Sequence, residues 1–190
     1  QPFGVINAVN FYQKESFQLL HDYIQTLHNS PYQSVNVCYR LANVLPESGA
    51  VTRGICEVDE EGYLVSVTDR LGVERVGGRP MYPNDLHKWE SLDENCLVSM
   101  NMWGFKPDIF GEMQTAFDAF FDVHGLDMKA HYSIPVFMNK QIEQGVKVKV
   151  VETPAHWMGL VSHDDKIQVV LRINEMMRKG IYPHKLFEKN

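Results

Sequence analysis

Two hydrophobic periods run through this chain. Apolar residues at Phe17, Leu20, Ile24 and Leu27 recur every three or four positions, which predicts an amphipathic helix stopped by Asn29-Ser30-Pro31. Before it, Phe3-Gly4-Val5-Ile6-Asn7 reads as a buried strand that runs into Ala8-Val9-Asn10-Phe11-Tyr12. Val35, Val37, Tyr39 and Leu41 alternate with polar or small neighbours and predict a second strand. Thr52–Val58 and Tyr63–Thr68 predict two more, joined by the hairpin turn Asp59-Glu60-Glu61-Gly62.

From Leu71 to Asn95 the periodicity fades, and Gly77-Gly78, Pro80 and Pro83 punctuate what reads as a long polar connection of the functional or mobile kind. Cys96–Met100 is the next core strand, ending in Asn101-Met102-Trp103-Gly104-Phe105. Three helices follow. Asp108 is placed to cap the first, whose stripe Phe110, Met113, Phe117 and Phe120 reads as core. Ser133 and Pro135 open the second and Gly145 ends it. Val146, Val148 and Val150 form a strand between Lys147 and Lys149. Asp164 is placed to cap the last helix, with Ile167, Val170, Asn174 and Met177 on one face and Gly180 as the stop. Strands and helices alternate in both halves, so the expectation is a single α/β domain over residues 1–190, a sheet covered by helices.

Composition narrows the function classes. With 190 residues, 44% hydrophobic and 22% charged, the chain is an ordinary globular sequence. Its net charge of -6 argues against nucleic acid and anionic membranes as partners. No apolar run approaches the roughly 20 residues that span a bilayer, and no basic and apolar leader precedes the first strand. Cys38, Cys56 and Cys96 are odd in number and sit in apolar stretches, so buried free thiols and a cytoplasmic setting are expected. The eight histidines include no helical i, i+4 zinc pair.

Several blocks, in order, resemble one known family. They are Ile6-Asn7-Ala8-Val9-Asn10-Phe11-Tyr12, Val51–Asp59, Val98–Phe105, Trp157-Met158-Gly159-Leu160-Val161, Asp164-Asp165-Lys166 and Gly180-Ile181-Tyr182-Pro183. Together they resemble the later two-thirds of the sugar-nucleotide nucleotidyltransferases, the NDP-sugar pyrophosphorylase group. The resemblance implies a Rossmann-like α/β sheet with covering helices, lacking the N-terminal nucleotide-binding strands. It implies a reaction that joins a nucleoside triphosphate to a sugar 1-phosphate with release of pyrophosphate, assisted by Mg²⁺. Such transfers rest on positioning and charge neutralisation.

By the same resemblance the ligand is a sugar phosphate or nucleotide-sugar, and its partners here are Gly54, Asp69, Arg70, Asn101, Trp103 and Gly104. Two departures matter. No Gly-rich triphosphate loop is present, and Val9 stands where the family carries a metal-binding Asp; a valine cannot ligate a hard cation. Gly159 holds the simplest register of the second metal carboxylate, which leaves Asp165 as the metal candidate and Asp164 chiefly as a helix cap. Two readings follow: an enzyme portion whose loop lies upstream, or a non-catalytic interaction or ligand-binding subunit. The first strand reads as the interior of a sheet without a preceding neighbour, so pairing between copies through that edge is also expected.

Overall fold

The computed structural model describes residues 1–160 and 163–185, the side chains at 163 and 164 excepted. Its elements run β1 (Phe3–Val5), β2 (Asn10–Phe11), α1 (Gln13–Leu27), β3 (Ser34–Arg40), a 3-10 turn (Leu41–Asn43), β4 (Val51–Val58), β5 (Leu64–Val76), β6 (Arg79–Pro83), β7 (Trp89–Ser91), β8 (Leu97–Phe105), α2 (Ile109–His124), α3 (Ile134–Glu143), β9 (Val148–Thr153), β10 (Met158–Gly159) and α4 (His163–Arg178). They fall into two compact units. The larger holds Gln1–Asn7 with Tyr12–Trp157, and the smaller holds Ala8–Phe11 with the segment from Met158 onward.

In the larger unit the strands form one sheet in the order β7-β6-β5-β4-β8-β3-β9, and β1 also pairs with β8. The β3–β9 pair is parallel; the others are antiparallel. Alternation sorts the strand side chains to two faces. Val37, Tyr39, Val98 and Met100 pack with Tyr12 and Leu20 on one. Cys38, Cys56, Trp103 and Phe105 pack with Phe137 and Met138 on the other. Helix α1 lies close against the sheet because β1 and β8 offer glycines there. A Cβ at Gly104 would stand 3.0 Å from Ile24 Cγ1, and one at Gly4 2.9 Å from Leu20 Cδ2.

The connection expected from Leu71 to Asn95 is instead an antiparallel extension of the sheet. Strand β5 continues to Val76, and Gly77-Gly78, with φ of 59° and 83°, turns it into β6. Two successive left-handed residues match the twist of a tight hairpin, so those glycines are turn chemistry. Val73 and Tyr82 point into the core, which the scattered prolines hide from a periodicity count.

Helix ends divide. Ser133 Oγ accepts from Val136 N and α3 ends in a Schellman motif, with Gly145 N on Ile142 O and Val146 N on Gln141 O. Asp108 makes no capping bond; Lys106 and Pro107 carbonyls already take the first N–H groups of α2. The expected core stripe of α2 holds only in part: Met113 packs half-buried on the core, Phe120 is half-buried, and Phe110 and Phe117 are 61% and 44% exposed, while Ile109 is the helix's one fully buried residue.

In the smaller unit, β2 and β10 pair antiparallel, and α4 packs beside β10. The buried side chains of α4 are Val169 and Met176; Ile167 and Val170, expected on the inner face, are about half exposed. Gly180 at φ 72° closes it as a Schellman turn, with Gly180 N on Met177 O and Ile181 N on Met176 O. The expected cap at Asp164 lies outside the described side chains.

Candidate functional site

Gly54 is the centre of the expected sugar edge. It pairs with Asp69 of β5 on one side and Ser99 of β8 on the other. A Cβ there would come 3.1 Å from Val67 Cγ1, 3.3 Å from Asp69 Oδ1 and 3.5 Å from Ser99 O. The exposed Asp69 carboxylate therefore lies over bare backbone, a place where only glycine leaves room.

Arg70, next in the strand, belongs to the opposite face. Its register partner is Arg53, and its guanidinium lies 5.0 Å over the Tyr82 ring. Tyr82 donates to Glu90 at 2.6 Å, which Asn84 also contacts at 2.7 Å. Those bonds hold the Glu90 carboxyl below its ordinary value and lift the Tyr82 hydroxyl above its own. The expected Asp69-Arg70 pair is thus divided between two faces, as consecutive strand residues must be.

Arg53 escaped the sequence reading as a functional residue. Its Nε and Nη2 donate to Val44 O at 3.2 and 2.6 Å, Nη1 donates to Thr52 O at 2.8 Å, and Trp157 covers it at 5.0 Å. No carboxylate among the described residues pairs with it, and burial lowers its pKa to about 10. It staples the 3-10 turn to β4. Its signal in sequence was an arginine inside an apolar strand.

Asn101 marks a break in β8. Strand β8 borders β4 through Leu97–Ser99 and β1 from Trp103 onward, and its register on β3 shifts between Asn36 and Cys38. Asn101 takes φ 58° in that gap. Side chains replace the missing ladder: Tyr12 donates to Met100 O at 2.8 Å, and Asn36 donates to Ser99 Oγ and Met102 O at 3.1 and 3.3 Å. The half-buried Asn101 amide makes no hydrogen bond to a described residue. Trp103 and Gly104 are different. Trp103 is fully buried, stacked on Phe105, and Gly104 is the seat of Ile24. Neither offers a side chain to a ligand.

In the smaller unit, Gly159 pairs with Asn10, and Leu160 N donates to Val9 O at 2.9 Å. The two positions that the resemblance gives to metal carboxylates are therefore cross-strand neighbours, and neither carries an oxygen donor. Asp165 is half-buried near the start of α4 and is already engaged in an interaction. Among the described residues no three His, Cys, Asp or Glu side chains gather around one point.

Solved structures share this architecture. The inositol-1-phosphate CTP transferase from T. maritima superposes with a TM-score of 0.54 at 11% identity, over 94% of this chain and 57% of its own. A structure assigned as a glucose-1-phosphate thymidylyltransferase from Bacillus anthracis, solved with sucrose, gives 0.53 at 11% identity, over 99% and 57%. This is the fold of the sugar-nucleotide nucleotidyltransferases. The chain spans 57% of the length of each of these two structures. No protein-family model and no curated protein matches the sequence. Of the expected sugar-edge residues, Asp69 is exposed, Arg70 and Asn101 are half-buried, and Gly54 is buried beneath Asp69. No described helix is long and apolar enough to cross a membrane.

Proposed function

We propose that this chain is the sugar-phosphate-binding portion of a nucleotidyltransferase-like protein and does not transfer nucleotides by itself. The observation that carries the reading is the exposed Asp69 carboxylate lying across Gly54, with the half-buried Asn101 amide, two strands over in β8, making no hydrogen bond to a described residue. A carboxylate and an amide supply the acceptors and donors that sugar hydroxyls need. Arg70 makes no hydrogen bond to a described residue, which leaves its fork for a phosphate. One ligand meets both Asp69 and Arg70 only by lying across β5.

The silent chemistry rests on Val9 and Gly159. With no side-chain oxygen at either, a triphosphate would meet no metal at that ladder. The same observation favours a second reading, a ligand-binding or interaction subunit in which the sugar site regulates another protein.

Calorimetry with sugar 1-phosphates, the matching free sugars and nucleoside triphosphates tests the assignment. Asp69→Asn is expected to weaken both sugar ligands about tenfold, and Arg70→Ala the phosphorylated one alone. Nucleotide binding that survives Arg70→Ala and Asn101→Ala defeats the placement. Pyrophosphate release above a heat-killed control, scaling with protein in Mg²⁺, defeats the claim of silence.

A further inference from the structure

Helix α2 fully buries only Ile109; Met113 and Ala116 rest half-buried on the core, and an aromatic row remains largely exposed. Phe110, Phe117 and Phe121 are 61%, 44% and 59% exposed, and Val123, Leu126 and Met128 near the helix exit are exposed as well. Beside the aromatic row a cleft of about 310 Å³ opens between α2 and the start of α3, walled by Phe110, Met113, Phe117, Tyr132, Ile134 and Phe137. The Tyr132 hydroxyl is buried there with no hydrogen-bond partner among the described residues, a cost that a partner group would relieve. Soluble proteins rarely leave so many large apolar side chains together unless something covers them.

The charge around this patch is one-sided. Residues 108–128 carry Asp108, Glu112, Asp118, Asp122 and Asp127 and no Lys or Arg, with Lys106 and Lys129 just beyond either end. On α2 the ridge Met113, Phe117, Phe121 runs beside the ridge Gln114, Asp118, Asp122, because residues four apart stack along a helix. The apolar row therefore has an acidic flank, with Asp118 and Asp122 both exposed. That combination disfavours a second copy seated α2 on α2, which would bring like charges together, and an anionic lipid surface for the same reason. It fits a helix that is apolar on one face and basic on its edges.

We infer that the α2 face is the docking surface for a cationic amphipathic helix of a partner protein, with one large apolar side chain of that helix seated in the cleft beside Tyr132. The apolar anchor supplies affinity and the Asp118–Asp122 flank supplies orientation and partner choice.

The test uses two synthetic 18-residue helical peptides with the same Leu/Trp face, one edged with Lys and the other with Glu. Fluorescence anisotropy on the full chain is expected to show the Lys peptide binding at least about tenfold tighter, a preference that shrinks as salt rises. Phe117→Ser, and separately Asp118→Lys with Asp122→Lys, are each expected to weaken it about tenfold; the double charge variant keeps its unfolding midpoint, because both carboxylates are exposed, and so separates lost docking from lost packing. Equal binding of the two peptides, no binding, or insensitivity to the variants overturns the inference. So does a concentration-dependent dimer that Phe117→Ser dissolves, since a second copy would then be the occupant.

Discussion

The residue that most shapes the candidate site is Asn101, held at φ 58° in the gap of β8. Asparagine tolerates the left-handed region because its short polar side chain can bond locally, whereas a β-branched side chain clashes there. Asn101→Gly is expected to stay within about 1 kcal/mol of the parent, and Asn101→Val to cost about 1–3 kcal/mol, read from urea unfolding. If valine proves as stable as glycine, the bulge is relaxed rather than held by Tyr12 and Asn36. Sugar 1-phosphate binding separates the two roles of this position. The glycine variant keeps the backbone and removes the amide, so it should fold normally and bind less.

At the scale of elements, β1 is the exposed decision of the fold. It pairs with β8 through Phe3–Val5, and among the described residues its other edge carries no ladder. Phe3 stacks on Phe110 at 4.9 Å and 4°, so the strand is anchored while its outer N–H and C=O groups stay available. Open edges recruit strands. Light scattering over a concentration series is expected to show mass rising with concentration, with amides at Val5 and Ile6 exchanging more slowly in the concentrated sample. A chain that stays monomeric throughout, with those amides already slow, removes this expectation.

For the whole molecule, pH acts through buried groups that prefer to stay protonated. Burial pushes the Cys38 and Tyr39 groups well above their ordinary values and Cys96 up to about 11; Tyr132 is raised as well. In each case the unfolded chain loses its proton first, so the stabilisation is complete below the unfolded pKa and declines as pH rises through the folded one. Arg53 works the other way: its pKa falls to about 10, so the folded state sheds that proton first and gains relative stability above it. Five raised groups, Tyr82 among them, against one lowered group in this alkaline range give a net fall. The unfolding midpoint is expected to drop steadily from pH 9 to 11, and Cys96→Ala to lessen the fall. A flat profile across that range would mean these groups meet water in solution.

Apolar spacing was enough for α1, β3 and β9, and the start and stop signals Ser133, Pro135 and Gly145 for α3; that β3 and β8 are buried on both faces was not legible from spacing. The glycine stops at Gly145 and Gly180 were legible for the same local reason: only glycine takes that φ without cost. The sugar edge was only half legible. Counting back from the Asp59-Tyr63 pair at the hairpin would set Gly54 opposite Thr68. A register shift between Glu57 and Val58 inserts one residue and brings Asp69 there instead, turning Arg70 to the other face. A one-residue slip reverses every side chain of a strand, and nothing in the local sequence announces it. Trp103 shows the same limit, since a strand-end tryptophan and a core tryptophan have identical sequence surroundings. The α2 stripe shows it in reverse: its spacing reads as buried, and whether a helix face is covered depends on what packs against it. The sequence by itself determined which residues repeat, turn and stop; tertiary structure decided which of them face each other, because register and burial are properties of pairs that the chain order does not contain.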